Sequence, residues 1–600
     1  MAHYESSVTR YIESSRRGPA LQRVVRRIGL LLFLSAALHA QDVTVRIIAL
    51  NDFHGNLQSP GEFRATPSDP QVPVGGADYL AGYVARLKSE NPLHVVVSSG
   101  DLTGAAPLVS TLFHDEGTVE VMNRMGLDIN AVGNHEFDQG VAELQRKQHG
   151  GCIAHDSNSC KGAFVGTHVP FEGAKFQYLA ANVYDASGKT IFPPYLVKNF
   201  DGLKIAFIGL TLKETPTIVV PENIKGLRFT DEATTINAIV RKLRPQGISA
   251  FVVLLHQGGL QSGTGSRDIN GCAGDMEGTP VRSIVSKLDN AVDLVLSAHS
   301  HEAYVCSLPN RAGRNIPVTS AAAFGRVVTD VDLTIHKQAR HVTHIATHNI
   351  LVDRTNPEIQ PNPAIQHIVD GYAALAAPIV NRVVGSIAAA IPKTEAPSGE
   401  SSMGDLIADA QLESTRLSAK GGAVVAFANG GGIRAGLPYE PPAPGIPVGK
   451  VTYGELFSAQ PFQNNLVTMT LTGYQIRILL EEQFKGCALG SPTPDRDMPT
   501  SDRMLEVSQG FSYTWNRNAP ACHKIDPAGI RIDGVRVNPS APYRVTVNSL
   551  LADGGAQFYI LRQGTDRLVG PVDLDAMTAY LAKHPRISPV VPHRISVTGE

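Results

Sequence analysis

Seven residues of the types that ligate divalent metals recur along the first half of the chain: Asp52, His54, Asp101, Asn134, His256, His299 and His301. Imidazole and carboxylate ligands suit divalent transition ions, and two such ions about 3.5 to 4 Å apart can activate a water and hold both oxygens of an in-line displacement. A pair of ions needs a bridging ligand and roughly three further ligands each. These residues supply that number and type. Asp52 and His54, like His299 and His301, stand two apart, a spacing that on a turn at a strand end sends both side chains into one pocket. Singly, each is an ordinary turn or structural residue. It is the set, together with the run Gly133-Asn134-His135-Glu136-Phe137-Asp138, that points to a metal centre.

Such residues need elements to bring them together. Each candidate follows a short apolar run rich in β-branched residues, at 43–50, 95–97, 129–132, 251–255 and 292–296, and these runs read as strands. In α/β sheets a site forms beyond the carboxyl ends of the strands, where residues distant in sequence converge. Residues 75–89 recur apolar at helical spacing through Tyr79, Leu80, Tyr83, Val84 and Leu87. The alternation of strand and helix over residues 41–355 predicts a layered α/β domain. Residues 356–387 turn helical, with Ile365, Ile368, Val369, Tyr372, Leu375 and Ala376 on one face, and are expected to form a linker helix within residues 356–389. A second domain is expected over 390–600, with a glycine cluster Asn429-Gly430-Gly431-Gly432-Ile433-Arg434 and a proline-rich loop at 438–447.

The length of 600 residues exceeds one hydrophobic core. A formal charge of -2 leaves no electrostatic footprint for a nucleic acid polymer or an anionic membrane. Arginines 16, 17, 23, 26 and 27 precede an apolar run at 28–38, followed by Ala40. That pattern reads as a signal peptide over 1–40, too short to span a bilayer. The expectation is export to a periplasmic or extracellular space, without membrane attachment after cleavage. All six cysteines then lie in an oxidising compartment, and neighbour pairing is expected: Cys152 with Cys160, Cys272 with Cys306, Cys487 with Cys522.

The series Asp-x-His, Gly-Asp, Gly-Asn-His-Glu, His and His-x-His resembles the calcineurin-like metallophosphoesterase superfamily. Its coupling to the glycine cluster resembles the secreted 5'-nucleotidase family, which includes periplasmic UDP-sugar hydrolases. The resemblance implies an N-terminal metallophosphoesterase domain, a β-sandwich flanked by helices, and an α+β substrate-binding domain. It implies two divalent ions (manganese, zinc, iron or cobalt), one held by Asp52, His54, Asp101 and His301, the other by Asp101, Asn134, His256 and His299. His135 and Asp138 would be a catalytic dyad; the alternative for Asp138 is a helix cap. Asn429 and Arg434 would grip phosphate and Phe462 would stack on a base, or else serve as a core aromatic. Where relatives carry a second ring and an aspartate, this chain has Leu550 and Ala556, and Gly399 stands where some carry another arginine. The implied function is attack of a metal-held hydroxide on a nucleotide phosphate ester, extending to nucleotide sugars or 2',3'-cyclic nucleotides. The alternatives are a hydrolase of non-nucleotide phosphate or sulfur esters, and a secreted binding protein without catalysis.

Overall fold

Fully apolar strands need cover on both faces, and Ala250–Leu255 and Leu294–Ser297 are buried throughout. The computed structural model describes residues 42–166, 170–262, 267–494, 498–499 and 501–599; the expected signal peptide lies outside them. The strands that carry the candidate site are β1 (Asp42–Leu50), β2 (His94–Ser98), β3 (Ile129–Ala131), β4 (Ala250–Leu255) and β5 (Leu294–Ser297). They fall where the β-branched runs predict.

One six-stranded sheet runs in the order His341–Leu351, Val327–His336, β1, β2, β3, Gln177–Leu179. A second runs Ala303–Pro309, Asn315–Ala321, β5, β4, Leu203–Leu210, Tyr195–Phe200. Within them β1, β2 and β3 are mutually parallel, as are β4 and β5, so each group ends at one rim of its sheet. The sheets meet face to face through Val45, Ile47, Val95 and Val97 on one side and Ile205, Phe207, Val252 and Leu254 on the other. Helices cover the outer faces, with Leu80, Val84 and Met122 against the first sheet and Ile236, Val240 and Val285 against the second. This is the β-sandwich flanked by helices that the resemblance implies.

The helix expected over 356–387 is shorter, spanning Pro363–Val380. Asn362 caps it by accepting from the backbone N–H of Ala364 and Ile365, and Pro363 occupies the first turn, where its missing N–H costs nothing. Beyond Val380 the stretch Val383–Ser386 is a strand, paired antiparallel with Lys450–Thr452, as the adjacent Val383 and Val384 favour. Ile365, Ile368, Val369, Tyr372 and Ala376 are buried in the outer core of the first domain. Leu375, expected on the same face, is 38% exposed. The helix is thus part of the first domain's covering layer.

The following domain is α+β. Its five-stranded sheet runs Leu505–Val507, Val425–Asn429, Pro542–Asn548, Asn465–Thr472, Thr565–Val572, with Ser402–Thr415, Gly473–Glu481 and Asp573–Lys583 among its helices. Leu108 of the first domain is buried with Met403, Leu456 and Phe457 of the second, an apolar contact that joins the two.

The three disulfides are Cys152–Cys160, Cys272–Cys306 and Cys487–Cys522, the pairing expected, and no cysteine is free among the described residues. Each closes a loop of the covalent chain, with sequence separations of 8, 34 and 35, and limits the conformations of the unfolded chain. Thiol titration of the denatured, unreduced protein should therefore yield no reactive cysteine, and all six should appear after reduction. A thiol titrating before reduction would contradict the pairing.

Candidate metal centre

The turns that leave β1, β2 and β5 are strained. Asp52, His54, Asp101, His299 and His301 have φ of 48°, 46°, 54°, 71° and 59°, in the left-handed region that costs a residue with a side chain about 1–2 kcal/mol. Such geometry persists only where surrounding bonds dictate it. The β1 turn is zipped to the β2 turn: the N–H groups of Asp52, His54 and Gly55 donate to the carbonyls of Gly100, Asp101 and Leu102 at 3.0, 2.9 and 3.0 Å. His299 N–H donates to the Asp52 carboxylate at 2.9 Å, tying the second sheet to the first. Asn51 Nδ2 donates to Asp52 at 2.7 Å and fixes that carboxylate further.

Glu136 joins the β2 and β3 turns. Its buried carboxylate accepts from the N–H groups of Asp101 at 2.9 Å, Leu102 at 2.8 Å and Gly133 at 2.6 Å. Sequence reading gave Glu136 no role. The available signal was its position three residues after Gly133, from which a glutamate can reach back to a free N–H as in a capping box. The turn also requires glycine at 133, since a Cβ there would sit 2.1 Å from Asp101 Oδ1.

All seven candidate ligands meet at this rim. Asp52, His54 and His301 offer ligand atoms within 4.8 Å of one another, and so do Asp101, His256 and His299. His54 Nδ1 lies 2.8 Å from the Gly104 carbonyl and His256 Nδ1 lies 2.9 Å from the Ser99 carbonyl. A carbonyl only accepts, so each Nδ1 carries a proton and each Nε2 turns inward; His54, held neutral, presents a lone pair there. His54 Nε2 faces His301 Nε2 at 3.1 Å. His256 Nε2 faces Asn134 Oδ1 at 3.1 Å and Asp101 Oδ2 at 3.1 Å. Asp101 Oδ2 has no hydrogen-bond partner among the described residues, and it lies 3.6 Å from His54 Nε2, within reach of both groups. Nitrogen and carboxylate ligand atoms crowded in a buried site, with Asp101 drawing a proton onto His256, call for positive charge there. The residues fit a pair of divalent ions.

The electrostatics agree. Burial pushes Asp52 up to about 7, with Asp101 adding to the rise. Burial would lower His256, but Asp101, Asp52 and Glu136 draw it up to about 9, a measure of the positive charge the carboxylates demand. His299 is pushed down to about 3 by burial and by the charge on His256. Burial also holds His54 and His301 well below the usual histidine range, as neutral rings able to ligate.

His135 stands at the edge of this cluster. Its Nδ1 lies 2.9 Å from Asp138 Oδ2, an oxygen that also accepts from Ala105 N–H at 3.1 Å. Burial opposes protonation of the ring, yet Asp138 and Asp101 hold His135 above its usual range. From the second domain, Phe462 stacks on His135 with centroids 5.6 Å apart, and the Arg434 guanidinium lies 5.9 Å from the Phe462 ring. Arg434 Nη2 is buried with no hydrogen-bond partner among the described residues. Asn429 accepts from Asn548 Nδ2 at 2.9 Å. A cavity of about 400 Å³ between the domains is lined by His135, Asn429, Arg434, Phe462, Leu550 and Ala556. Gly399 cannot carry a side chain, because with φ of 87° its Cβ would meet Met504 at 2.4 Å.

Residues 45–303 match the family model of the calcineurin-like phosphoesterases, and residues 383–563 match that of the 5'-nucleotidase C-terminal domain. A cell wall protein of Listeria monocytogenes is 30% identical over 91% of this chain and 67% of its own. An endonuclease of Bacillus subtilis is 29% identical over 90% of this chain, which spans only 40% of that relative's length. The crystal structure of a 5'-nucleotidase precursor from Thermus thermophilus superposes with a TM-score of 0.72 at 25% identity, covering 93% of this chain and 100% of that one.

Because Glu136 fixes the turn that presents Asp101, Glu136→Gln should weaken metal binding by ~10- to 100-fold, the usual scale for a residue that orients ligands. Calorimetric titration with manganese or zinc measures this. Unchanged affinity would remove Glu136 from the architecture of the centre.

Proposed function

The chain belongs to the 5'-nucleotidase family, a calcineurin-like phosphoesterase domain followed by a 5'-nucleotidase C-terminal domain, and from that premise we propose that it is an exported hydrolase of nucleotide phosphate esters using two divalent ions. One observation carries the reading: the Nε2 atoms of His54 and His256 and Asp101 Oδ2 converge beside a cavity that holds an arginine without an ion pair among the described residues. Asp52, His54, Asp101 and His301 would hold one ion and Asp101, Asn134, His256 and His299 the other, with manganese, zinc, iron and cobalt all suited to the set. When bound, the ions supply an activated water and positive charge opposite the phosphoryl oxygens.

The chain's own groups account for the rest. Asp138 fixes the proton on His135 Nδ1, so that Nε2, when protonated, can donate to a phosphoryl oxygen or to the leaving oxygen. Asn429 and Arg434 grip the phosphate, the guanidinium offering paired donors. Phe462 supplies an aromatic face for the base. Reading 41–355, covered by the helix Pro363–Val380, as the catalytic domain and 390–600 as the substrate domain accounts for a cavity that lies between them. Nucleoside 5'-phosphates fit this arrangement, and nucleotide sugars or 2',3'-cyclic nucleotides present the same chemistry. The aliphatic Leu550 and Ala556 favour a second reading, non-nucleotide phosphate or sulfur esters on the same centre. Export is supported by three disulfides, which persist in oxidising compartments, and by the similarity to a cell wall protein.

The metal-loaded protein should release phosphate from nucleoside 5'-phosphates, and His135→Ala should lower kcat by ~10² to 10⁴ with metal content unchanged. Loss of metal in that variant would make His135 a ligand. No turnover on nucleotides, nucleotide sugars or aryl phosphates would overturn the hydrolase reading.

A further inference from the structure

The cavity has a wall that none of the motifs includes. Opposite the second domain, Ile218, Val219 and Val220 of the first domain line it, together with Asn223. They belong to a strap made of the short helix Thr215–Ile218 and the turn Pro221–Ile224.

The strap is held firmly. At its entry Lys213 N–H donates to Glu232 at 2.8 Å, and within it Val219 N–H donates to the Thr215 carbonyl at 3.1 Å. Val219 and Ile224 are buried in the outer core of the first domain, while Val220 keeps 39% of its surface exposed. The strap also has two partners of functional interest. Thr215–Ile218 packs on the turn Gly555–Gln557 of the second domain, which carries Ala556. Asn223 Nδ2 donates to the Asp138 carbonyl at 2.7 Å. One segment therefore touches the substrate cavity, the second domain and the turn that orients His135.

Resting on the hydrolase reading, we propose that the strap over residues 215–224 is the specificity wall for the leaving group, with Asn223 as a positioning residue that ties this wall to the dyad. The group bound across the cavity from Leu550 meets branched aliphatic side chains, which offer apolar contact and no hydrogen bonds. Such a wall rewards a flat, ring-shaped leaving group over a bare sugar and is indifferent to the pattern of donors and acceptors on the ring. The substrate class is a phosphate ester of a nucleoside, with purine and pyrimidine accepted alike.

The test compares wild type with Val220→Asp and Asn223→Ala, each loaded with metal. Wild type should favour adenosine and uridine 5'-phosphates over ribose 5-phosphate by ~10-fold or more in kcat/KM, the scale of a modest apolar contact. Val220→Asp should bring that ratio close to one. Asn223→Ala should lower kcat more than it changes KM and should displace the pH profile of kcat, effects that a loss of stability alone would not produce. In parallel, free adenosine should bind wild type at least ~10-fold more tightly than Val220→Asp, since the apolar contact is lost without chemistry. A ratio near one in wild type, or a ratio and adenosine affinity that survive Val220→Asp, would overturn the wall. An Asn223→Ala variant altered only in thermal midpoint would overturn the positioning role. If no phosphate ester is hydrolysed but adenosine binding follows Val220, the hydrolase reading falls and the wall stands.

Discussion

Two groups of ligand-type atoms crowded at the buried rim are the constraint on which the structure depends. His54 Nε2 lies 3.1 Å from His301 Nε2, and His256 Nε2 lies 3.1 Å from both Asn134 Oδ1 and Asp101 Oδ2, and the second place draws positive charge so strongly that His256 is raised to about 9. The backbone carbonyls of Gly104 and Ser99 turn the Nε2 atoms of His54 and His256 inward, because they accept from the far nitrogens. The low polarity of the surroundings enlarges the demand for charge. A divalent cation would supply that charge at each place, held by the residues already gathered there.

Holding that arrangement costs the chain conformational strain, which the sandwich absorbs. Five of the candidate ligands adopt left-handed backbone, and the strain is offset by bonds between turns: the β1 turn to the β2 turn, the β2 turn to the β3 turn through Glu136, and the β5 turn back to Asp52. Parallel strands made this economical. Because β1, β2 and β3 end at one rim, their exits are neighbours, and a single buried carboxylate can accept from two of them. The second domain then adds Arg434 and the Phe462 ring at the edge occupied by His135.

Much of this was legible in the sequence because ligand chemistry leaves few substitutes. The seven candidate ligands followed β-branched runs, and those runs are strands, because short stretches rich in Val and Ile suit a pleated, buried surface. The dyad partners were legible for the same reason, at a spacing of three residues on a tight turn. Other features were not. Glu136 works through backbone N–H groups, which every residue carries, so no partner residue type advertises it. Asn223 likewise bonds a carbonyl, and the apolar residues 218–220 look like any core segment until the second domain is placed beside them. Leu375 sat on the predicted apolar face but is exposed, because the helix presents a face narrower than its hydrophobic residues allow.

Asp101 Oδ2 lies 3.6 Å from His54 Nε2 and 3.1 Å from His256 Nε2, between the two groups of candidate ligands. The direct measurement is metal stoichiometry, by elemental analysis after equilibrium dialysis against manganese or zinc, on wild type and Asp101→Asn. Two ions per chain in wild type, both weakened together in the variant while the fold is retained, is the predicted result. Saturation of wild type at a single ion, or an Asp101→Asn protein that keeps two tightly bound ions, would contradict it.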